Sequence, residues 1–484
     1  MKTFISTILV AALCCSGCVS EQPSSQQADF RTLVANGEFA KAGEAIRNDL
    51  AKDATLSDGA RREMAFELER MDRIRLDFRK TRPEVVEFIK KYIPGVTDQD
   101  LDRWEKDRSL ESMTIDGEKR YFNNAARNLF RIDKECLRIW NEQNAEELAK
   151  PPAEGALDLD AHAKAVRERV LLEKKAYVES IRMRIRYTLS VKPDAVPAGE
   201  TVRCWIPFPR EIAERQTDTR LTATDPAEYR LAPNEDLQRM IYFEKAAVAG
   251  QPTKFGLEYD YTSSAFYVDI DPEQVKPVDP EGALKPYLAQ ETPHIVFTDP
   301  LRELSKEVVG TETNPYRIAQ KLFEWVDINV PWASAREYST VPNIPMYAFE
   351  NRHGDCGMQT LLFMTLCRMN GIPTRWQSGW EFKPPTDSMH DWGMIYFEPY
   401  GWVPMDVTYG RLDSADEKQK WFYLSGMDSY RLIFNDAITQ PFTPAKEHFR
   451  SETVDSQRGE VEWKGGNLYF DKWEWDMKWE VLSK

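Results

Sequence analysis

The chain has 484 residues, 42% of them hydrophobic and 30% charged, and a formal net charge of −15. That length supports about three domains with ample core, which excludes a small disulfide-held scaffold, and the apolar fraction excludes a disordered chain. The acidic excess opposes a sequence-independent grip on phosphates, so nucleic acid is not an expected partner.

At the start, Lys2 precedes an apolar run from Phe4 to Cys15. The run is too short for a spanning helix of about twenty residues and reads as a signal peptide. It closes on Cys15-Ser16-Gly17-Cys18, which resembles the lipobox of bacterial lipoproteins except that Cys15 stands where Leu is commoner. The resemblance implies that residues 1–18 are a lipoprotein signal peptide, that Cys18 is lipidated, and that residues 19–28 form a flexible tether. The expected location is the bacterial cell envelope, outside the cytoplasm and periplasmic or surface-facing. Membrane contact is then through the lipid anchor alone, with plain secretion as the alternative. Four cysteines remain, Cys136, Cys204, Cys356 and Cys367. No disulfide framework is expected, since Cys356 and Cys367 on one helix stand about 16 Å apart.

Residues 29–178 read as a helical domain. Apolar residues recur at three and four, as in Met64, Leu68, Met71 and in Val85, Phe88, Ile89, Tyr92. Pro94-Gly95 ends one helix and Thr97 caps the next, which carries Leu101 and Trp104. The stretch Asp116 to Arg131 reads as a packed helical layer rather than a helix-turn-helix reader, because export and acidity both argue against DNA.

Residues 179–270 form the predicted antiparallel β-domain. The period switches from 3.6 to 2 near Ser180, with Ile181, Met183, Ile185, Tyr187 and Leu189 alternating with polar partners. Val202 to Ile206 and Phe255 to Tyr261 repeat the pattern, and the Pro- and Asp-rich stretch Asp269 to Lys285 reads as a linker.

The chemistry concentrates between Asn314 and Gly410. After Arg352-His353-Gly354-Asp355, the residues Gly357 to Asn370 fit a helix, ended by Gly371 and Pro373, so Cys356 stands at a helix N-terminus. There the helix dipole favours a thiolate, the form that attacks carbon. Of five histidines, His390 is the best base. Strands are expected at Thr374 to Trp380, His390 to Phe397 and Trp402 to Val407, with Glu381 to Met389 as an overhanging loop. A hairpin about Glu398 to Gly401 sets His390 near Asp406, which can orient the imidazole. Tyr338 and Asn343 are candidate side-chain oxyanion donors beside the Cys356 backbone N–H, and Trp392 and Trp402 are candidate cleft walls. Cys367 reads as core. Gly426, Asp428, Tyr430 and Arg431 read as a polar cluster, structural rather than substrate-binding.

The end of the chain, residues 446–484, reads as a β-hairpin about Gly465-Gly466. Its second arm carries Trp473, Trp475, Met477 and Trp479 at period 2, a face expected to pack on the body.

Gly354-Asp355-Cys356-Gly357, Gly371-Ile372-Pro373-Thr374-Arg375, His390-Asp391-Trp392 and Gly401-Trp402-Val403-Pro404-Met405-Asp406 together resemble the ordered core motifs of the transglutaminase-like superfamily. The resemblance implies a papain-like α+β catalytic domain over residues 286–445, with Cys356 as nucleophile, His390 as base and Asp406 as orienting acid. The fold class expected for the whole chain is thus α+β. The expected function is thioester formation with a peptide or glutamine-type amide in a peptide or protein substrate, followed by hydrolysis. Transamidation is the alternative, and a non-catalytic binding or scaffold lipoprotein is a third reading. A metal site built from His353, Cys356, His390 and Asp391 is a weaker reading still. No phosphate-binding loop or EF-hand run occurs, so neither a cofactor nor a metal is expected.

Overall fold

A computed structural model describes residues 29–484; the predicted signal peptide, Cys18 and the tether lie outside the described residues. From Phe30 to Glu173 the chain is mainly helical, and Ser57, Thr97, Asp133 and Asp158 cap helix starts through side-chain oxygens. These helices close over Phe39, Ile46, Leu101, Trp104 and Leu129. One piece departs from the helical expectation. Ser112–Ile115 pairs antiparallel with Glu118–Tyr121, and only Ala125–Ile132 of that stretch is helix. Asp116 and Gly117 both take positive φ, so this Asp-Gly pair turns a two-residue hairpin and not a helix.

Two sheets follow. In the first, Thr253–Tyr267, Tyr177–Val191 and Trp473–Ser483 lie side by side, with Gly426–Met427 and Gln216–Asp225 also paired to Thr253–Tyr267. In the second, the order is Gly466–Leu468, Glu460–Trp463, Thr201–Pro207, Met240–Ala246 and Arg230–Leu231. Ile185 and Leu189 from the first sheet meet Val202, Cys204 and Ile206 from the second in one core. The terminal hairpin is shorter than expected, with Trp463 opposite Gly466. Its aromatic arm instead joins the other sheet beside Tyr177–Val191. Trp473 is buried, Trp475 stacks on Tyr187 and meets Trp380 edge-on, and Trp479 packs on Phe382.

The third unit is a four-stranded antiparallel sheet in the order Gly401–Met405, Thr386–Phe397, Thr374–Lys383, Arg431–Asn435. Against it lies the helix Cys356–Met369, buried on all sides over Cys356 to Arg368, with its polar members Gln359, Thr360, Thr365 and Arg368 each hydrogen-bonded inside. Trp380, Phe382, Leu432 and Phe434 of this sheet share the β-domain core, so the site-bearing sheet is braced by the β-domain. The expected loop from Glu381 to Met389 is instead strand. Lys383 pairs with Thr386 across Pro384-Pro385, so the two strands run on as a hairpin to the turn. Pro384-Pro385 signalled a loop, but the two prolines occupy only the turn of the hairpin. The chain as a whole is α+β.

Candidate active site

Cys356 is the first residue of its helix, and Asp355 is the cap, accepting from Met358 N at 3.1 Å. Gly357 follows because nothing larger fits: an added Cβ would stand 2.1 Å from Tyr338 Oη and 2.6 Å from Asp391 Oδ2. The glycine therefore lets loop and strand close directly onto the nucleophile turn.

His390 lies on the strand Thr386–Phe397, and Asp406 directly follows the neighbouring strand Gly401–Met405. The pairing of the two strands brings His390 Nε2 to 2.7 Å from Asp406 Oδ2. Asp406 is fully buried, and Arg431 Nη1 donates to the same oxygen from 2.9 Å. Burial alone would raise the Asp406 carboxyl, but His390 and Arg431 outweigh it and hold the group below its ordinary value. An ionised carboxylate only accepts, so the hydrogen sits on Nε2. Nδ1 is then left with a lone pair and has no partner among the described residues.

Arg431 is itself fully buried. It is anchored by Asp428 through Nε at 2.9 Å and lies over the rings of Trp392 and Tyr409. The Asp428–Arg431 cluster, read from sequence as structural, thus reaches the candidate acid directly. Glu381, whose Oε2 accepts from Tyr409 Oη at 2.6 Å, stands 3.7 Å from His390 Nε2.

Cys356 and His390 line one cleft of about 480 Å³, together with Tyr338, Asp355, Glu381, Asp391, Tyr409, Gln457 and Arg458 among others. The polar partner of the sulfur, however, is Asp391, with Sγ 3.4 Å from Oδ2. Successive strand residues point to opposite sides, so His390 turns to Asp406 while Asp391 turns to the thiol. Tyr338 Oη lies 2.8 Å from Asp355 Oδ1 and 3.0 Å from Asp391 Oδ2, and Gln457 Nε2 donates to Asp391 Oδ1 at 2.7 Å.

This surrounding works against the priming expected from the helix start. Burial, then the Asp391 and Asp355 carboxyls, push the Cys356 thiol well up. Asp355 is itself pushed up to about 6, by burial first. The helix dipole is real, but its donors at the first turn are partly consumed by the Asp355 cap. The Cys356 backbone N–H finds no acceptor among the described residues.

The remaining sequence candidates divide. Tyr338 lies in the cleft beside the thiol. Asn343 does not; it caps the helix Ile344–Asn351 by accepting from Met346 N at 3.0 Å. Trp392 is fully buried and donates to Gln377 Oε1 at 2.7 Å, so it is core and not cleft wall. Trp402 packs against Tyr287, Tyr396 and Arg375 away from the cleft. Cys367 is buried core, and His353, of the weaker metal reading, is buried beside Tyr347 and does not line the cleft. Sequence reasoning missed Asp391 as a partner of the sulfur, and missed Gln457, which reaches in from near the chain end. Asp391 carried a signal, its place next to His390; Gln457 carried none.

A family model described as the transglutaminase-like superfamily matches residues 302–407. Among solved structures, a candidate cysteine protease from Cytophaga hutchinsonii is similar at 16% identity and a TM-score of 0.44, over 64% of this chain and 93% of that one. The periplasmic domain of TgpA from Pseudomonas aeruginosa is similar at 15% identity and a TM-score of 0.26, over 56% of this chain and 98% of that one. No curated protein matches the chain. Among the described residues no helix is long and apolar enough to cross a membrane.

Proposed function

With residues 302–407 a member of the transglutaminase-like superfamily, we propose that this chain is an exported cysteine enzyme that forms a thioester with the carbonyl of a peptide or glutamine-type amide. The observation that carries the reading is the buried His390–Asp406 pair, closed at 2.7 Å, opening on the same cleft as Cys356. Nδ1 of His390 takes the thiol proton, and Sγ attacks the carbonyl carbon. The free Cys356 N–H and Tyr338 Oη are the groups nearest to receive the developing oxyanion. His390 then returns the proton to the departing amine, and a thioester remains on Cys356.

Water outside the cytoplasm is the most abundant acceptor, so hydrolysis is the proposed second step and the activity is that of a peptidase or amidase. Transfer to a second amine is the alternative outcome. Location at the cell envelope through a lipid on Cys18 rests on the sequence Cys15-Ser16-Gly17-Cys18. The test is incubation with a mixed peptide substrate library, with and without labelled cadaverine, on wild type and Cys356→Ala. New peptide termini that vanish in the variant support hydrolysis, and cadaverine incorporation supports transfer. A wild type inert in both assays, with Cys356 unreactive to alkylation, overturns the reading.

A further inference from the structure

The hydrogens around Asp391 do not add up if every carboxyl there is ionised. Tyr338 has one hydroxyl hydrogen, yet its oxygen stands within hydrogen-bond distance of both Asp355 Oδ1 and Asp391 Oδ2. Two ionised carboxylates only accept, so one hydrogen cannot serve both contacts and a carboxyl must supply the second. The count of hydrogens therefore fails at Tyr338. It fails again at the sulfur: once Cys356 gives up its proton, a thiolate and a carboxylate would face each other across 3.4 Å in a buried site.

The direction of the hydrogen is also fixed. Gln457 Nε2 donates to Oδ1, so Oδ1 must accept, and Oδ2 is the oxygen turned to sulfur and to Tyr338. We infer that Asp391 works as a neutral carboxylic acid whose Oδ2 hydrogen is donated to the Cys356 sulfur, making it a further catalytic residue that sets the pH range in which the thiolate exists.

The inference rests on the cysteine-enzyme reading and adds a role for Asp391 within it. The proton balance is simple. At rest Tyr338 donates to Asp355 Oδ1, which also accepts from Met358 N, while the Asp391 Oδ2 hydrogen goes to Tyr338 Oη and Oδ2 accepts from the thiol. When the thiol proton passes from Sγ to His390 Nδ1, the Asp391 hydrogen turns from Tyr338 to the thiolate, and no further proton is needed. The groups facing Asp391 favour its neutral form. Cys356 and Asp355 come from the nucleophile helix and its cap, Tyr338 from the preceding loop, and Asp455 from the last crossing stretch, where Glu452, Arg450 and Arg458 also lie near Asp455. Burial, then Asp455 and Asp355, push Asp391 well above the ordinary carboxyl value, against smaller opposing pulls from Cys356 and Tyr338. Comparable use of an acid held neutral by an apolar site is a known route to a hydrogen-bond donor at neutral pH.

The test is the rate of Cys356 alkylation by iodoacetamide, followed by peptide mass spectrometry from about pH 4 to 10, in wild type, D391N, D391A and H390A. In the wild type the rate should flatten or fall at high pH, when Asp391 ionises and opposes the thiolate. D391N keeps an N–H aimed at sulfur and its oxygen toward Gln457 but cannot ionise, so that high-pH loss should vanish. D391A lacks the donor and should be slower by roughly tenfold or more near neutral pH, consistent with a hydrogen bond to a charged group. Faster alkylation of D391N at every pH, the low end included, overturns the inference by showing an ionised Asp391 that merely repels. So does a D391N profile that overlays the wild type. A wild-type thiol that behaves like an ordinary one and is unaffected in H390A strikes the enzyme reading instead, and the D391N comparison still reports the charge on Asp391.

Discussion

Two buried carboxylates flank the candidate nucleophile, and they are held in opposite states. Asp406 faces two donors, His390 Nε2–H at 2.7 Å and the Arg431 guanidinium at 2.9 Å, and is held below its ordinary value. Asp391 sits on the neighbouring strand among carboxyls and a thiol, and is held above. Both are buried to about the same degree and burial pushes both upward, so burial does not set them apart. The neighbours do: they add to burial at Asp391 and outweigh it at Asp406, which sorts the cleft into a cationic side that orients the base and an acidic side that faces the sulfur.

The sharpest way to break the cationic side is Asp406→Asn. The amide has one accepting oxygen where the carboxylate has two, so if it accepts from Nε2–H and Arg431 Nη1 its N–H group is turned on the Thr408 N–H, and in either orientation the charge that holds the His390 tautomer and steadies its protonated form is gone. A loss of about 10³-fold or more in the rate of substrate turnover is expected, by analogy with other orienting carboxylates, with folding retained by circular dichroism. A fall of less than about tenfold would remove Asp406 from the machinery.

Arg431→Met breaks the same side through stability. The substitution leaves Asp406 and Asp428 buried without their shared cation, and loss of one partner of such a cluster costs about 3–5 kcal/mol. Urea unfolding measures it. A second readout separates position from mere stability: the acid limb of the pH profile should move up, because Asp406 loses one of the two charges that hold it down.

The acidic side is sharpened by pH. Asp355 is pushed up to about 6, Glu452 to about 8, and Asp77, under the loop that carries Tyr338, to about 7, in each case by burial first. A carboxyl whose folded value is raised keeps its proton in the fold after the unfolded chain has lost it. Its stability contribution is therefore complete below the unfolded value, near 4, and is lost as pH rises through the folded value. Asp406 behaves oppositely, and its contribution is lost only in strong acid. The melting temperature should fall between about pH 5 and pH 8, and Glu452→Gln should flatten the upper part of that fall. A melting temperature that climbs over that range would contradict the raised carboxyls.

How far this division was legible in the sequence depends on the reach of each contact. His390 and Asp406 lie on adjacent strands joined by a short turn, so period and turn residues placed them together. The central helix announced itself through its apolar run and its Gly371 stop. Asp391 was visible but was eclipsed by the histidine beside it, since alternation says that neighbours diverge without saying what each will meet. Arg431 was visible as part of a polar cluster, but its target was not, because Arg431 pairs across the sheet with Glu381 and touches Asp406 through a side chain spanning two strands. Asp455 and Gln457 arrive from a stretch without regular periodicity, and no local pattern predicts where such a stretch crosses. The Asp116-Gly117 turn was legible and was overridden by the helical periodicity on either side of it.

The smallest expected effect separates the two sequence candidates for the oxyanion donor. Tyr338 and Asn343 stand five positions apart and both carry a suitable hydrogen-bonding group, yet the loop between them turns Tyr338 into the cleft and leaves Asn343 at a helix start. Its side chain satisfies the Met346 N–H, one of the donors that the first turn leaves unpaired. Asn343→Ala should therefore cost about 1 kcal/mol in urea unfolding and leave the rate of Cys356 alkylation unchanged. Tyr338→Phe should do the reverse. It preserves the packing of the ring but removes the hydroxyl between Asp355 and Asp391, so the pH profile of alkylation shifts while the unfolding midpoint moves little. If Asn343→Ala changed the reactivity of Cys356, the capping role would be an incomplete account and the loop from Tyr338 to Asn343 would have to act on the thiol as one unit.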